Sequence, residues 1–164
     1  GEMWHRKEIP VAVEHFASHF FQEQLLSLLN AAPEPYRNGV ILAGCMPGEH
    51  HQLGLVMIVV LMRLRGWNVI YLGADLSLDR LEEVLSTLRP RLVLFSSTMP
   101  DTASNADKLH ELIRRIPEPL PAVVLGGEGF RNYVPENSFP HTIILDEPDQ
   151  IIHRIEFLLE TKPR

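Results

Sequence analysis

One short segment of the chain combines residue types that suit metal binding. Glu49 precedes His51 by two residues, and Gly54 follows His51 by three. A neutral imidazole is a good donor to a transition metal, and a carboxylate on its other ring nitrogen fixes the tautomer and raises the basicity of the ligand. Gly54 leaves room for a bulky ligand or for neighbouring backbone. The pattern therefore indicates that His51 is a metal ligand and that Glu49 orients it.

The same segment also has a purely structural interpretation. Carboxylates are favoured at the positive end of a helix, so Glu49, His50 and His51 could simply cap the helix that follows them. A single histidine cannot form a zinc site by itself. The segment alone leaves both alternatives open, and the elements around it have to be considered.

Short, nearly continuous apolar runs alternate with amphipathic stretches after residue 36, which is typical of strands buried on both faces of a parallel sheet. The predicted strands are Val40–Gly44, Asn68–Leu72, Leu92–Ser96, Ala122–Gly126 and Thr142–Leu145. The predicted helices are 52–65, 78–88, 102–115, 129–133 and 148–160. This alternation predicts an α/β fold with a flavodoxin-like, five-stranded parallel sheet.

The first part of the chain follows a different pattern. Apolar residues recur at helical spacing over residues 10–32, and Pro33 and Pro35 end that pattern. We therefore predict two domains, a helical segment at 1–36 and the α/β domain at 37–164.

The composition narrows the possible partners. The chain has 15 Lys and Arg against 21 Asp and Glu, a formal net charge of −6, so direct contact with nucleic acid is not expected. The longest apolar run, Leu53 to Leu64, is too short to cross a bilayer, and no charged and apolar leader opens the sequence. Cys45 is the only cysteine and is expected to be a buried structural thiol. We expect a cytoplasmic domain without a membrane partner.

Ligands of open parallel sheets bind beyond the carboxyl ends of the strands, near the point where the strand order reverses. Three segments are expected at that rim, 45–54, 97–100 and 127–129. Their residues are also common in ordinary turns, and Asp75 is explained as a helix-capping residue.

Three short motifs at this rim resemble those of cobalamin-binding domains. They are Glu49-x-His51-x-x-Gly54, Ser96-x-Thr98 and Gly126-Gly127. The resemblance implies that His51 displaces the nucleotide base of cobalamin and becomes the lower axial cobalt ligand. It also implies that the nucleotide tail enters a slot between the sheet and the helix that contains Leu55. The hydroxyl groups of Ser96 and Thr98 would hydrogen-bond the tail. Gly126 and Gly127 would let the backbone approach the tail closely.

A second resemblance concerns the first residues of the chain. Trp4 and the pair Glu14-His15 match the Trp-x9-Glu-His motif in the helical cap of CarH-type photoreceptors, which are MerR-family repressors. The resemblance implies that Trp4 covers the upper axial group, that Glu14 contacts the adenosyl sugar and that His15 lines the pocket. His5 is then a possible upper ligand after light breaks the cobalt–carbon bond.

These resemblances imply a light sensor domain with adenosyl-, methyl-, aquo- or hydroxocobalamin as cofactor, and no enzyme activity. The photoreceptors also have a DNA-binding domain and a four-helix cap. We expect a partial cap in this chain, possible self-association through it, and contact with DNA only through a missing N-terminal domain. Two alternatives are a corrinoid carrier of a methyltransferase or mutase, and a receiver-like domain without cobalamin.

Overall fold

The structure is a computed structural model that describes residues 10–136 and 138–161. Its helices are α1 Val11–Ala31, α2 Leu53–Leu64, α3 Leu81–Leu88, α4 Pro100–Ala103, α5 Ala106–Ile113 and α6 Pro148–Thr161. Its strands are β1 Val40–Cys45, β2 Asn68–Tyr71, β3 Leu92–Ser96, β4 Ala122–Gly126 and β5 Thr142–Ile144, and a 3₁₀ turn spans Glu128–Phe130. In these ranges, no helix is both long and apolar enough for a membrane span.

The five strands form one parallel sheet with the order β2-β1-β3-β4-β5. This order confirms the predicted flavodoxin-like α/β fold. The chain leaves β1 toward β2 on one side and leaves β3 toward β4 on the other, so the strand order reverses between β1 and β3. Apolar side chains of α2 and α6 cover one face of the sheet, and those of α3, α4 and α5 cover the other. Cys45 is fully buried at the end of β1, and this burial raises the pKa of its thiol to about 12.

The predicted helix at 102–115 is wrong in its continuity, since two helices, α4 and α5, occupy this region. Polar side chains explain the break, because they offer the backbone alternatives to helical hydrogen bonds. Ser104 Oγ donates to the Asp101 carbonyl at 2.7 Å, and Asn105 Nδ2 donates to the Pro47 carbonyl at 3.2 Å. The predicted helix at 129–133 is also wrong, because only the 3₁₀ turn forms there.

Helix α1 lies outside the two apolar layers and has no buried residue. It packs mainly against α2, and the segment after it is fixed to the α/β domain. The backbone N–H groups of Tyr36 and Arg37 both donate to the Gly66 carbonyl, at 3.1 and 2.9 Å. The Arg37 guanidinium carbon lies 5.0 Å from the centre of the Trp67 ring, in cation–π contact. These contacts fix the C-terminal end of α1 on the α/β domain. They therefore determine which part of the domain the rest of the helix lies over.

Candidate functional site

A cavity of about 860 Å³ lies between α1 and the carboxyl ends of the strands. The loop from β1 to α2 lines it with His50, His51 and Gln52, and α1 lines it from the other side. The cavity continues as a mostly apolar slot between α2, the sheet and α6. Residues that line the slot include Met57, Ile58, Leu94, Val124, Ile144 and Ile151. The position at the carboxyl ends of the strands agrees with the location predicted for a ligand site.

His51 presents an imidazole to this cavity in a defined orientation. Its Nδ1 lies 2.6 Å from Glu49 Oε1, and its backbone N–H donates to the same oxygen at 2.8 Å. The carboxylate accepts the proton of Nδ1, so Nε2 keeps its lone pair for a metal. The His51 side chain is 66% exposed and lines the cavity. The arrangement is therefore suited to a metal ligand whose tautomer is fixed from behind.

Glu49 is fully buried and holds His51 through its first carboxylate oxygen. Its second oxygen accepts hydrogen bonds from the backbone N–H groups of Thr98, at 2.5 Å, and Met99, at 3.0 Å, and from Thr102 Oγ1, at 3.3 Å. Burial alone raises the pKa of Glu49, but the hydrogen bonds from His51 and from the backbone at Thr98 and Met99 hold it below its usual value. Glu49 is therefore an anionic carboxylate.

The helix-cap alternative does not describe this geometry. Gln52 is the N-cap residue of α2, and no side chain caps that end of the helix with a hydrogen bond. Glu49 instead contacts His51 and the loop after β3. The hydrogen bond from Thr102 to Glu49 was not predicted, because the sequence places Thr102 in a helix and the two residues are 53 positions apart.

The loop that contains Glu49 and His51 is also tied to the loop after β2. The backbone N–H of Gly48 donates to Asp75 Oδ1 at 2.7 Å, and the backbone N–H of Asp75 donates to the Glu49 carbonyl at 2.9 Å. The interpretation of Asp75 as a helix cap is therefore wrong, because its carboxylate joins two loops. No local sequence pattern marks this contact.

The N-terminal half of α1 brings polar side chains to the cavity. Glu14 and His15 both line it, as do Ser18 and His19. Ser18 Oγ donates to Glu14 Oε1 at 2.7 Å, and this hydrogen bond lowers the pKa of Glu14. The predicted residues Trp4 and His5 lie outside the described residues.

The remaining predicted site residues line the same cavity around its slot. They are Gly54, Leu55, Ser96, Thr98, Gly126 and Gly127. Gly127 has a φ of +96°, and a Cβ there would lie 2.4 Å from the Ser97 carbonyl oxygen, so a side chain does not fit. A Cβ on Gly54 would meet no atom within 4 Å, which agrees with the expected open space beside His51.

Comparison with known proteins assigns the chain to a family. Residues 39–147 match the B12 binding domain. The chain belongs to this family. As a B12-binding domain it is 34% identical over 135 residues to the HTH-type transcriptional repressor CarH of Myxococcus xanthus, and 32% identical over 127 residues to CarA of the same organism. The matches cover 81% and 77% of this chain but only 44% and 43% of CarH and CarA, so the chain spans less than half their length. The predicted resemblance to CarH-type cobalamin-binding domains is confirmed.

A solved structure supports the same fold for this B12-binding domain. The monomethylamine corrinoid protein of Methanosarcina barkeri superposes with a TM-score of 0.68 at 14% identity, over 99% of this chain and 76% of that chain. The cavity also fits the cofactor in its donor set. No cluster of three or more His, Cys, Asp or Glu residues able to hold a metal occurs in the part of the chain that the structure describes. His51 thus offers a single nitrogen, which would suit a cobalt ion whose equatorial ligands are all supplied by a corrin ring.

Proposed function

We propose that the chain is the cobalamin-binding sensor domain of a light-responsive transcriptional regulator, and that it is not an enzyme. One observation carries the cofactor part of this proposal. His51 lines the cavity with an exposed ring, and the buried Glu49 carboxylate holds Nδ1, which leaves Nε2 as the nitrogen for a metal. The regulator part is supported by the identity with CarH and CarA, which are named transcriptional repressors.

Each part of the cavity has a separate task in this proposal. His51 would hold cobalt in place of the nucleotide base, which is called base-off/His-on binding. The slot between α2 and the sheet accepts the detached nucleotide tail, with Ser96 and Thr98 as hydrogen-bonding groups. The rim at Gly126 and Gly127 lets the tail lie close to the backbone.

The side of the cavity that α1 lines would carry out the light sensing. Bound alkylcobalamin supplies a cobalt–carbon bond that light breaks. Before illumination, Glu14 would contact the adenosyl sugar and His15 would line the pocket, while Trp4 would cover the upper group and exclude water from it. His5 would be the residue able to bind cobalt from above once the alkyl group has left. Helix α1 packs mainly on α2, so loss of the contacts with the upper group frees its overhanging half to shift relative to the sheet.

A corrinoid-carrier module of a methyltransferase or mutase is the second candidate. The similarity in fold to a monomethylamine corrinoid protein favours it. A carrier would use the same His51 and the same slot, but its upper methyl group would be transferred to an acceptor. The two functions therefore differ at the upper face and not at the lower ligand.

The first experiment tests the lower ligand. The parent chain, His51→Ala and the control His153→Ala, an exposed position on α6, are each loaded with hydroxocobalamin and measured by absorption spectroscopy. We expect His-on binding in the parent and the control, and weak binding with an altered spectrum in His51→Ala. Equal affinity and an unchanged spectrum in His51→Ala would overturn the proposed coordination.

The second experiment separates sensor from carrier. The parent chain loaded with methyl- or adenosylcobalamin is recorded in the dark and after illumination, and then with a thiol as methyl acceptor. A sensor photoconverts to a stable bis-histidine spectrum that His5→Ala abolishes. Rapid dark demethylation by the thiol, with no stable photoproduct, would instead identify a carrier.

A further inference from the structure

One face of α1 changes from apolar to polar along its length. In the C-terminal half this face consists of Leu25, Leu26 and Leu29, which are partly buried, and Leu29 packs against the apolar layer that contains α2. Gln22 precedes Leu25 and Leu26 by three and four residues, so it lies on the same face. From Gln22 toward the N-terminus this face lines the cavity, and its residues there are Glu14, His15, Ser18, His19 and Gln22.

This change in polarity indicates what the helix faces. A helix face that covers an apolar interior is normally apolar, as the leucines of α1 are. Over the cavity the same face has a carboxylate, two imidazoles, a hydroxyl and a carboxamide. The surface opposite them is therefore expected to have its own hydrogen-bonding groups.

Several of these side chains, His19 and Gln22 among them, have unused hydrogen-bonding groups. Glu14 is occupied by Ser18, and the His15 and His19 rings are stacked with centres 6.5 Å apart. Neither the His19 side chain nor the Gln22 side chain hydrogen-bonds to another residue within the described ranges. An imidazole and a carboxamide can each both donate and accept a hydrogen bond.

We propose that His19 and Gln22 recognise the amide side chains on the upper face of the corrin ring. This inference rests on the proposed function, because it takes cobalamin as the occupant of the cavity. The corrin rim has primary amides, each with one acceptor oxygen and one NH₂ donor. His19 and Gln22 are three residues apart, a rise of about 4.5 Å along the helix axis, so they reach two different points along the edge of the ring.

The test uses His19→Ala and Gln22→Ala in the whole chain, titrated with hydroxocobalamin and followed by absorbance. Each substitution is expected to raise the Kd about threefold to tenfold, the effect of one net hydrogen bond. Matched controls are Gln24→Ala, an exposed glutamine of α1 that does not line the cavity, and His153→Ala. Both controls should leave the Kd unchanged. An unchanged Kd in both His19→Ala and Gln22→Ala overturns the inference.

A second ligand locates the contact on the cofactor. Aquocobinamide has the corrin amides but lacks the nucleotide tail, so contacts to the ring predict the same relative loss with both ligands. A loss seen with cobalamin but not with cobinamide would assign His19 and Gln22 to the tail and overturn the inference.

The variant His51→Ala keeps the two proposals apart. If the parent binds His-on, His51→Ala loses the His-on spectrum, and neither His19→Ala nor Gln22→Ala changes the Kd, the proposed function stands while the inference on His19 and Gln22 fails. If the parent binds no corrinoid, both proposals fail.

Discussion

Glu49 shows how one buried charge can organise a site. One carboxylate oxygen accepts from the His51 ring and backbone, and the other accepts from two backbone N–H groups of the loop after β3 and from the Thr102 hydroxyl of α4. A fully buried carboxylate is stable only because all of these donors face it. The same donors fix its position, so the imidazole is oriented before any ligand binds.

Glu49→Gln should therefore destabilise the chain. A carboxamide has one acceptor oxygen, so its NH₂ group must face either His51 or the N–H groups of Thr98 and Met99. Leaving buried donors unpaired costs about 1–3 kcal/mol. Urea unfolding of the chain without cofactor measures this loss, and Glu111→Gln, exposed on α5, serves as the control. Equal unfolding midpoints for Glu49→Gln and the parent would contradict this account.

Two glycines of the site should respond in opposite ways to alanine. Gly127→Ala places a side chain at a φ of +96° and against the Ser97 carbonyl, so the free energy of unfolding should fall by about 1–3 kcal/mol. Gly54→Ala adds a methyl group in open space near the start of α2, so stability should be equal or higher.

Corrinoid binding separates the two glycine variants further. The methyl group of Gly54→Ala projects where the ligand is proposed to lie, so hydroxocobalamin affinity should fall although the fold is intact. Urea unfolding and absorbance titration of both variants provide the comparison. A stable Gly127→Ala chain, or a Gly54→Ala chain with parental affinity, would argue against the respective role.

The sequence could predict the orientation of His51 because Glu49 lies only two residues away. It could not predict the rest of the Glu49 environment, since Thr98, Met99 and Thr102 join it from about 50 residues away. Such contacts depend on the register of β1 against β3, which hydrophobic patterning does not specify.

At the scale of elements, the strands were the most predictable part of the fold. Strands buried on both faces leave continuous apolar runs, and each predicted strand agrees with the structure to within one residue at either end. The helix predicted at 102–115 failed because Asn105 bonds to Pro47, in a loop far away along the chain. Propensity over a window of sequence cannot detect a competing partner outside that window.

Helix α5 places a histidine on the face of the sheet that α3, α4 and α5 cover. His110 is buried, and both of its ring nitrogens lack a hydrogen-bond partner among the described residues. Its ring stacks on Phe139 and His141, with centres 4.4 and 5.1 Å apart. Burial, with a contribution from the nearby His141 and Arg114, lowers the pKa of His110 to about 4. The imidazole is therefore neutral in the folded chain.

The low pKa of His110 predicts that the free energy of unfolding falls in mild acid. The unfolded chain binds a proton at His110 below about pH 6.5, whereas the folded chain does so only near pH 4. Between these values the unfolded state binds more protons, so the free energy of unfolding falls as the pH decreases. Each unit of pKa difference is worth about 1.4 kcal/mol.

Urea unfolding at several pH values between 7.5 and 4.5 tests this prediction. His110→Phe should reduce the pH dependence relative to the parent, because the stack on Phe139 remains while the titrating group is removed. His153→Phe, at an exposed position of α6, should retain the parental dependence. A parental pH dependence in His110→Phe would show that other groups cause the acid sensitivity.

At the scale of the whole molecule, α1 and the sheet form the two sides of one cavity but share few direct contacts. The linker at Tyr36 and Arg37 fixes one end of α1 to Gly66 and Trp67, and the other end overhangs the cavity. The outer side of α1 exposes Phe16, Phe20 and Phe21.

Cofactor binding should therefore stabilise the molecule as a unit. A ligand at 100 times its Kd adds about 2.7 kcal/mol to the free energy of unfolding, which for a domain of this size raises Tm by roughly 5–10 °C. We expect this shift with hydroxocobalamin in the parent chain and a smaller shift in His51→Ala. Hydrogen exchange should slow in α1 as well as in the loops at the ends of β1 and β3, because the ligand lies between them. Slower exchange confined to the slot between α2 and the sheet would mean that α1 does not contact the cofactor, and Glu14 and His15 would then have no part in sensing.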